Sequence, residues 1–274
     1  MSRVVGLQDP CPLLNGKVTA VAFFDLDKTI IAKSSTLAFT RPMFRAGLLS
    51  GRTLAKAGIA QAYYQAFGAD EDQLERVKGE LSALTKGWDR AEIEALVTET
   101  VDEVVTPLVY AEALAIIEEH REEGRRVVVI SASPEEIVRP LCRHLGIYDV
   151  IATRSAVDGE GRYTGEIELY AFGPGKAEAM HEMAEAEGID LEASYAYSDS
   201  VTDLPMLEAV GNPVVVNPDS ELRKIAEERD WPIRKFELEV TLRDRLPAIA
   251  ASGAVVTGIA AVLAYWALKG RKQG

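Results

Sequence analysis

Apolar and polar positions along the chain change their period several times, and each change marks an element. Residues 21–24 form an unbroken apolar run, β-branched or aromatic at three of four positions, which predicts a strand buried on both faces. It stops abruptly at Asp25, Leu26, Asp27, Lys28 and Thr29. Across 34–105 apolar residues recur at three- and four-residue steps, with breaks at 47–51, 68–70 and 87–89. That spacing predicts about four helices packed as a small bundle inserted after the first strand.

Helix, strand and helix then follow over 107–123, 126–131 and 134–145. Extended runs within 150–169, divided by Asp158-Gly159 and Gly161, predict a hairpin. A helix over 175–188, a strand over 194–198, a helix over 202–210, a strand over 213–216 and a helix over 219–229 complete the pattern. Strands alternating with helices imply a parallel sheet with right-handed crossovers, hence an α/β Rossmann-like core of three layers. Residues 1–17, interrupted by Pro10, Pro12 and Gly16, read as an irregular lead-in without the apolar run of a signal peptide.

Charge narrows the function. The 274 residues carry 30 basic and 43 acidic side chains, a net charge of −13. This is no nucleic-acid footprint, and any phosphate site must be compensated locally by Lys, backbone amides or a metal. Cys11 and Cys142 lack metal-ligand spacing and are expected to be reduced thiols of a cytosolic protein. His120, His144 and His181 fall in charged helical stretches and are expected to be surface or cap residues.

The candidate chemistry lies where strands end. Asp25 and Asp27 stand two residues apart on an extended segment, so both carboxylates can face one ligand, one attacking while the other handles a proton. The alternative is a turn in which Asp27 caps the next helix. Ser131 closes the second strand and can hold a phosphoryl oxygen, or it and Ser133 can cap a helix. Lys176 follows Gly173-Pro174-Gly175 at the start of a helix, where ammonium and helix dipole both favour an anion. Asp199 follows the strand over 194–198, and Asp203 comes one turn later.

Taken in this order, DLDKT at 25–29, ISAS at 130–133, Lys176 in GPGK and SDSVTDLPML at 198–207 resemble the haloacid dehalogenase superfamily of phosphohydrolases. The runs 159–167 and 211–233 further resemble its phosphoserine-phosphatase-like branch, whose helical cap lies between the first two motifs. The resemblance implies a core over 18–33 and 106–236 and a cap over 34–105. It implies that Asp25 is a nucleophile forming an aspartyl phosphate and Asp27 the general acid and base. Mg2+ would be held by the Asp25 and Asp199 carboxylates and the Asp27 carbonyl, with Asp203 orienting its waters. Ser131 and Lys176 would bind the substrate phosphate. Nine residues after Asp25, where that branch carries a Glu for the substrate's amino group, this chain has Ser34. The cap aromatics Phe39, Phe44, Tyr63, Tyr64 and Phe67 are expected to form bundle core.

The run 248–268 holds 21 residues without a charge, flanked by Arg243 and Arg245 before and Lys269, Arg271 and Lys272 after. Apolar on all faces, it predicts a C-terminal hydrophobic helix over 247–269 that anchors a cytoplasmic catalytic domain to the cell membrane. The expectation is therefore a Mg2+-dependent phosphomonoesterase acting on a small phosphorylated substrate, a lipid or lipid-precursor phosphate, with no nucleic-acid partner. The alternatives are a phosphatase for phosphoserine or another small metabolite, and a non-catalytic membrane-tethered binding protein.

Overall fold

The computed structural model of the protein describes residues 20–49 and 85–237. The expected helices within 50–84, the aromatics Tyr63, Tyr64 and Phe67, Cys11 and the anchor over 247–269 lie outside the described residues. Among the described residues no helix is long and apolar enough to cross a membrane.

The centre is β1 (Val21–Phe24), followed by α1 (Ser35–Ala38) and α2 (Thr40–Arg45). Next come α3 (Arg90–Val105), α4 (Ala111–Glu122), β2 (Arg126–Pro134), α5 (Glu135–His144), β3 (Asp149–Val157) and β4 (Tyr163–Leu169). The chain continues through α6 (Pro174–Glu187), β5 (Tyr195–Ser198), α7 (Leu204–Glu208), β6 (Asn212–Val216), α8 (Ser220–Glu228) and β7 (Ile233–Arg234). The strands form one seven-stranded sheet in the order β4-β3-β2-β1-β5-β6-β7. All neighbours are parallel except the β3–β4 hairpin. Among the described residues the strand that the sequence pattern missed is the two-residue β7, too short to show a period.

The central strands β1, β2, β5 and β6 are largely buried because the sheet is covered on both faces there. Val21 and Phe23 of β1 join Val128, Ile130, Ala196 and Val215 beneath α6, α7 and α8. Ala22 and Phe24 join Val127, Val129, Tyr197 and Val214 beneath α4, α5 and α3. Adjacent residues thus enter different cores, which gives three layers. Fully burying a Phe side chain contributes roughly 2–3 kcal/mol, so Phe23 and Phe24 alone fix β1 firmly between the layers.

Two expectations fail here. His120 is only 3% exposed. It faces inward from α4, where its ring meets Phe24, Tyr195 and Tyr197 edge-on. Helical context revealed the charged flanks but not that position 120 shares the inward face of Ala113 and Ile117. Phe44 is 46% exposed, while Phe39 and Met43, four residues apart, supply the buried side of the α1–α2 segment. Cys142 is a buried free thiol in α5.

The described part of the inserted segment meets the core in two places. Gly87 N–H donates to the Tyr163 carbonyl, and Tyr163 N–H donates to that of Trp88, so residues 87–88 lie along β4. Asp89 caps α3 through the amides of Ala91 and Glu92. Arg90 then reaches Glu136 at 3.1 Å and Glu135 at 3.6 Å, both buried at the start of α5.

Candidate active site

β2, β1 and β5 are neighbours in the sheet, and their carboxyl ends bring together Ser131, Asp25 and Asp199. Loops leaving adjacent parallel strands converge at this edge, the usual ligand position in open α/β sheets. Asp25 continues the ladder beyond β1, its N–H donating to the Tyr197 carbonyl at 2.9 Å. The chain then turns sharply. Lys28 has φ 63, an uncommon left-handed conformation for a side chain with a Cβ, and Ile30 N–H closes back on the Leu26 carbonyl at 2.9 Å.

Lys176 is buried, only 2% exposed. Its Nζ donates to Asp25 Oδ1 at 2.6 Å and to Asp203 Oδ2 at 2.7 Å. The local sequence makes this possible. Pro174 opens α6 without needing its missing N–H, and Gly173 takes φ 53. Gly175 passes so close to Tyr170 that a Cβ there would sit 2.3 Å from the carbonyl oxygen. Asp203 also accepts from Ser198 Oγ at 2.7 Å, so β5 itself holds the carboxylate that holds Lys176.

Asp25 and Asp27 take different partners. Asp27 Oδ1 accepts from Ser35 N–H at 2.8 Å, and Oδ2 accepts from Ser133 Oγ at 2.9 Å. Ser133 Oγ in turn accepts from Ser35 Oγ at 2.9 Å and lies 3.1 Å from Thr36 Oγ1. Ser133 is therefore not a helix cap; Pro134 occupies that place in α5 with no side-chain cap bond. Ser35 and Ser133 are the residues that sequence reasoning missed. The SAS triplet at 131–133 was their signal, since an alternating strand end sends its first and third hydroxyls to one side. Ser131 is 1% exposed, and its Oγ accepts from Ser133 N–H at 3.2 Å. Ser34 caps α1, its Oγ accepting from Leu37 N–H.

Asp199 is buried beside Lys28, whose Nζ stands 3.9 Å away and is largely exposed. The Asp199 carbonyl accepts from Asp219 N–H at 2.9 Å, and Asp219 Oδ2 accepts from Val201 N–H at 2.8 Å, which ties this loop to the start of α8.

The electrostatics follow from burial. Loss of water pushes the Asp25 carboxyl up to about 8 against the pull of Lys176, with Asp203, Asp27 and Asp199 adding to the rise. Burial likewise lifts Asp199 to about 7, with Lys28 opposing. For Lys176 burial alone would disfavour the charge, but Asp25 and Asp203 outweigh it and raise the ammonium above its ordinary value. A 2.6 Å contact with that ammonium holds Asp25 as the carboxylate. Its upward tendency comes first from burial and then from a surplus of negative charge, three neighbouring carboxylates against one Lys.

That surplus bears on a metal. The available donors are carboxylate and carbonyl oxygens, the hard set that suits Mg2+. Among the described residues no three His, Cys, Asp or Glu side chains form a ready-made cage. Mg2+ is usually held by one or two carboxylates, with water and substrate phosphate completing its octahedron, so the residues present fit it.

The profile of the haloacid dehalogenase-like hydrolases matches residues 22–208. A probable phosphatase of Mycobacterium tuberculosis (strain ATCC 25618 / H37Rv) is 52% identical over 251 residues, which is 90% of this chain and 87% of that one. A phosphoserine phosphatase of the same organism is 36% identical over 251 residues, 89% of this chain and 80% of that one. Among solved structures, a protein of unknown function from Bordetella pertussis Tohama I superposes with a TM-score of 0.70 at 27% identity, covering 79% of this chain and 98% of that one.

Proposed function

Since the chain belongs to the haloacid dehalogenase-like hydrolases, we propose that it is a phosphomonoesterase working through an aspartyl phosphate on Asp25. The observation that carries this reading is the placement of Asp25 at the end of the central strand, against a buried Lys176 that Asp203 holds from behind.

The Asp25 carboxylate attacks phosphorus and the ester P–O bond breaks, the leaving alkoxide taking its proton from Asp27. Asp27 then removes a proton from water, the resulting hydroxide attacks phosphorus, and the Asp25–phosphorus bond breaks to release phosphate and the free carboxylate. Lys176 and Ser131 bind the phosphoryl oxygens, and Ser133 and Ser35 N–H keep the Asp27 carboxyl directed. Mg2+, held by Asp25, Asp199 and the Asp27 carbonyl, would neutralise phosphoryl charge and let one anion approach another. Asp203 acts through Lys176.

We assign 18–33 and 106–236 to the catalytic core and 34–105 to the cap. The substrate is a small alcohol phosphate of the lipid or lipid-precursor class. Ser34, a helix cap in place of a carboxylate, leaves the ammonium of phosphoserine without its partner, and the uncharged run 248–268 supports a tether at a membrane. The 36% identity to a phosphoserine phosphatase supports the rival reading of an amino-acid phosphate.

Phosphate release from lysophosphatidate, phosphoserine and sugar phosphates, with Mg2+ and with chelator, tests the proposal. Turnover that needs Mg2+ and disappears in Asp25→Asn is expected; activity persisting in that variant overturns it. Preference for phosphoserine would overturn the lipid assignment alone.

A further inference from the structure

Residues 28–69 contain six basic side chains and no carboxylate, in a chain of net charge −13. The described part of this stretch supplies Lys28, Lys33, Arg41 and Arg45. Four large apolar side chains are exposed among the described residues, and two of them stand here, Leu37 at 59% and Phe44 at 46%.

The backbone accounts for this grouping. Phe39 joins α1 to α2 in a helical conformation, its N–H donating to the Ser35 carbonyl and its own carbonyl accepting from Met43 N–H. Ser35, Phe39 and Met43, at steps of four, turn inward. Leu37, Arg41, Phe44 and Arg45 are exposed, so apolar and cationic side chains alternate along the outer side. The inner side of the same segment is fastened to the active site, through Ser35 N–H to Asp27 and Thr36 Oγ1 to Ser133. The cationic face therefore flanks the reactive carboxylates.

We propose that this face docks the enzyme on an anionic lipid surface, with Leu37 and Phe44 entering the interface and Arg41 and Arg45 meeting lipid phosphates. Charge complementarity selects the occupant. An acidic protein repels an anionic bilayer except through a locally cationic face, and exposed apolar side chains between arginines are what an interfacial segment needs. The inference rests on the phosphomonoesterase reading only for its purpose, delivery of a lipid phosphate to Asp25; the binding itself does not need catalysis.

The test is sedimentation of the full chain with vesicles of phosphatidylcholine, alone or mixed with phosphatidylglycerol, for wild type, R41E/R45E and L37S/F44S. Wild type should partition to the mixed vesicles, and R41E/R45E should do so roughly 30-fold more weakly or worse, from about a fivefold effect per basic residue lost. L37S/F44S should also bind the mixed vesicles more weakly, and both variants should keep wild-type hydrolysis of nitrophenyl phosphate, which shows that they fold. Equal binding by variants and wild type overturns the proposal, as does equal loss of R41E/R45E from both kinds of vesicle. Wild-type binding to polyglutamate but to no vesicle also overturns it, in favour of an acidic protein partner. Vesicle binding without any phosphatase activity would leave this face standing and sink the catalytic reading instead.

Discussion

Asp203 holds Lys176 at 2.7 Å and presents its ammonium to Asp25 on the far side. Removing the cation should cost more than removing either anion, because Asp25 and Asp203 would then be buried without a counter-charge. We expect Lys176→Met to lose turnover and to destabilise the fold by about 3–5 kcal/mol in urea titrations. Asp25→Asn should abolish turnover yet raise or preserve the melting temperature without metal, since it removes charge from a crowded pocket. Lower stability of Asp25→Asn than of Lys176→Met would contradict the charge surplus inferred here.

Ser133 tests the role given to Asp27. Without its hydroxyl the Asp27 carboxylate keeps only Ser35 N–H, and the carboxyl gains freedom to turn from the leaving group. Ser133→Ala should reduce kcat on alkyl phosphates by about 10- to 100-fold, within the range of general acid catalysis. Its effect on nitrophenyl phosphate, whose leaving group needs no proton, should be several-fold smaller. Equal losses on both substrates would place Ser133 in phosphate binding instead.

Gly175 is required for close approach. A methyl group there would stand 2.3 Å from the Tyr170 carbonyl oxygen, and neither backbone can yield without moving the start of α6. Gly175→Ala should therefore shift Lys176 from Asp25, with kcat falling while the far end of α6 remains protected from hydrogen exchange. Wild-type kcat in this variant would show that the loop has slack.

Much of this was legible in the sequence because it depends on period and punctuation. Apolar runs revealed β1, β2 and β5, and the polar residues at their ends, with Lys176 at the start of a helix, pointed to Asp25, Ser131, Asp199 and Lys176 as one group. What stayed hidden depends on partners distant in sequence. Ser133 meets Asp27 across 106 residues and His120 meets Tyr197 across 77, and no local pattern encodes either pairing. Ser35 and Ser133 carry the same hydroxyl that a helix cap would use, so residue type alone pointed to the cap.

Arg90 joins the inserted segment to the core. Its Nε lies 3.1 Å from Glu136, which is 3% exposed and whose carboxyl burial raises above the ordinary carboxylate range. Arg90 itself is more than a third exposed, so water screens part of the pairing. Arg90→Ala should destabilise the protein by about 1–3 kcal/mol, the cost of leaving a buried carboxylate short of its partner after that discount. Adding Glu136→Gln should recover most of the loss. A double variant no more stable than Arg90→Ala would show that the pair is incidental to the fold.

His120 should set part of the acid sensitivity of the fold. Arg125 Nε–H donates to its Nδ1 at 2.6 Å, so Nε2 carries the proton and donates to Tyr197 Oη at 2.8 Å. Tyr197 stacks on Phe24 with ring centres 4.3 Å apart, and the two residues immediately precede Ser198 and Asp25 in the chain. Burial, reinforced by the Arg125 charge, lowers the His120 imidazole from 6.5 to about 4. Below pH 6.5 the unfolded chain takes up a proton that the folded one refuses, so stability falls as pH drops from about 6.5 to 4 and this contribution levels off below. The difference amounts to about 3 kcal/mol at its limit. Urea midpoints measured across that window for wild type and His120→Leu should converge towards acid, because the variant lacks this dependence while the buried carboxylates titrate alike in both. Parallel curves would mean that His120 is protonated in the folded protein and that the hydrogen bond to Tyr197 has a different donor.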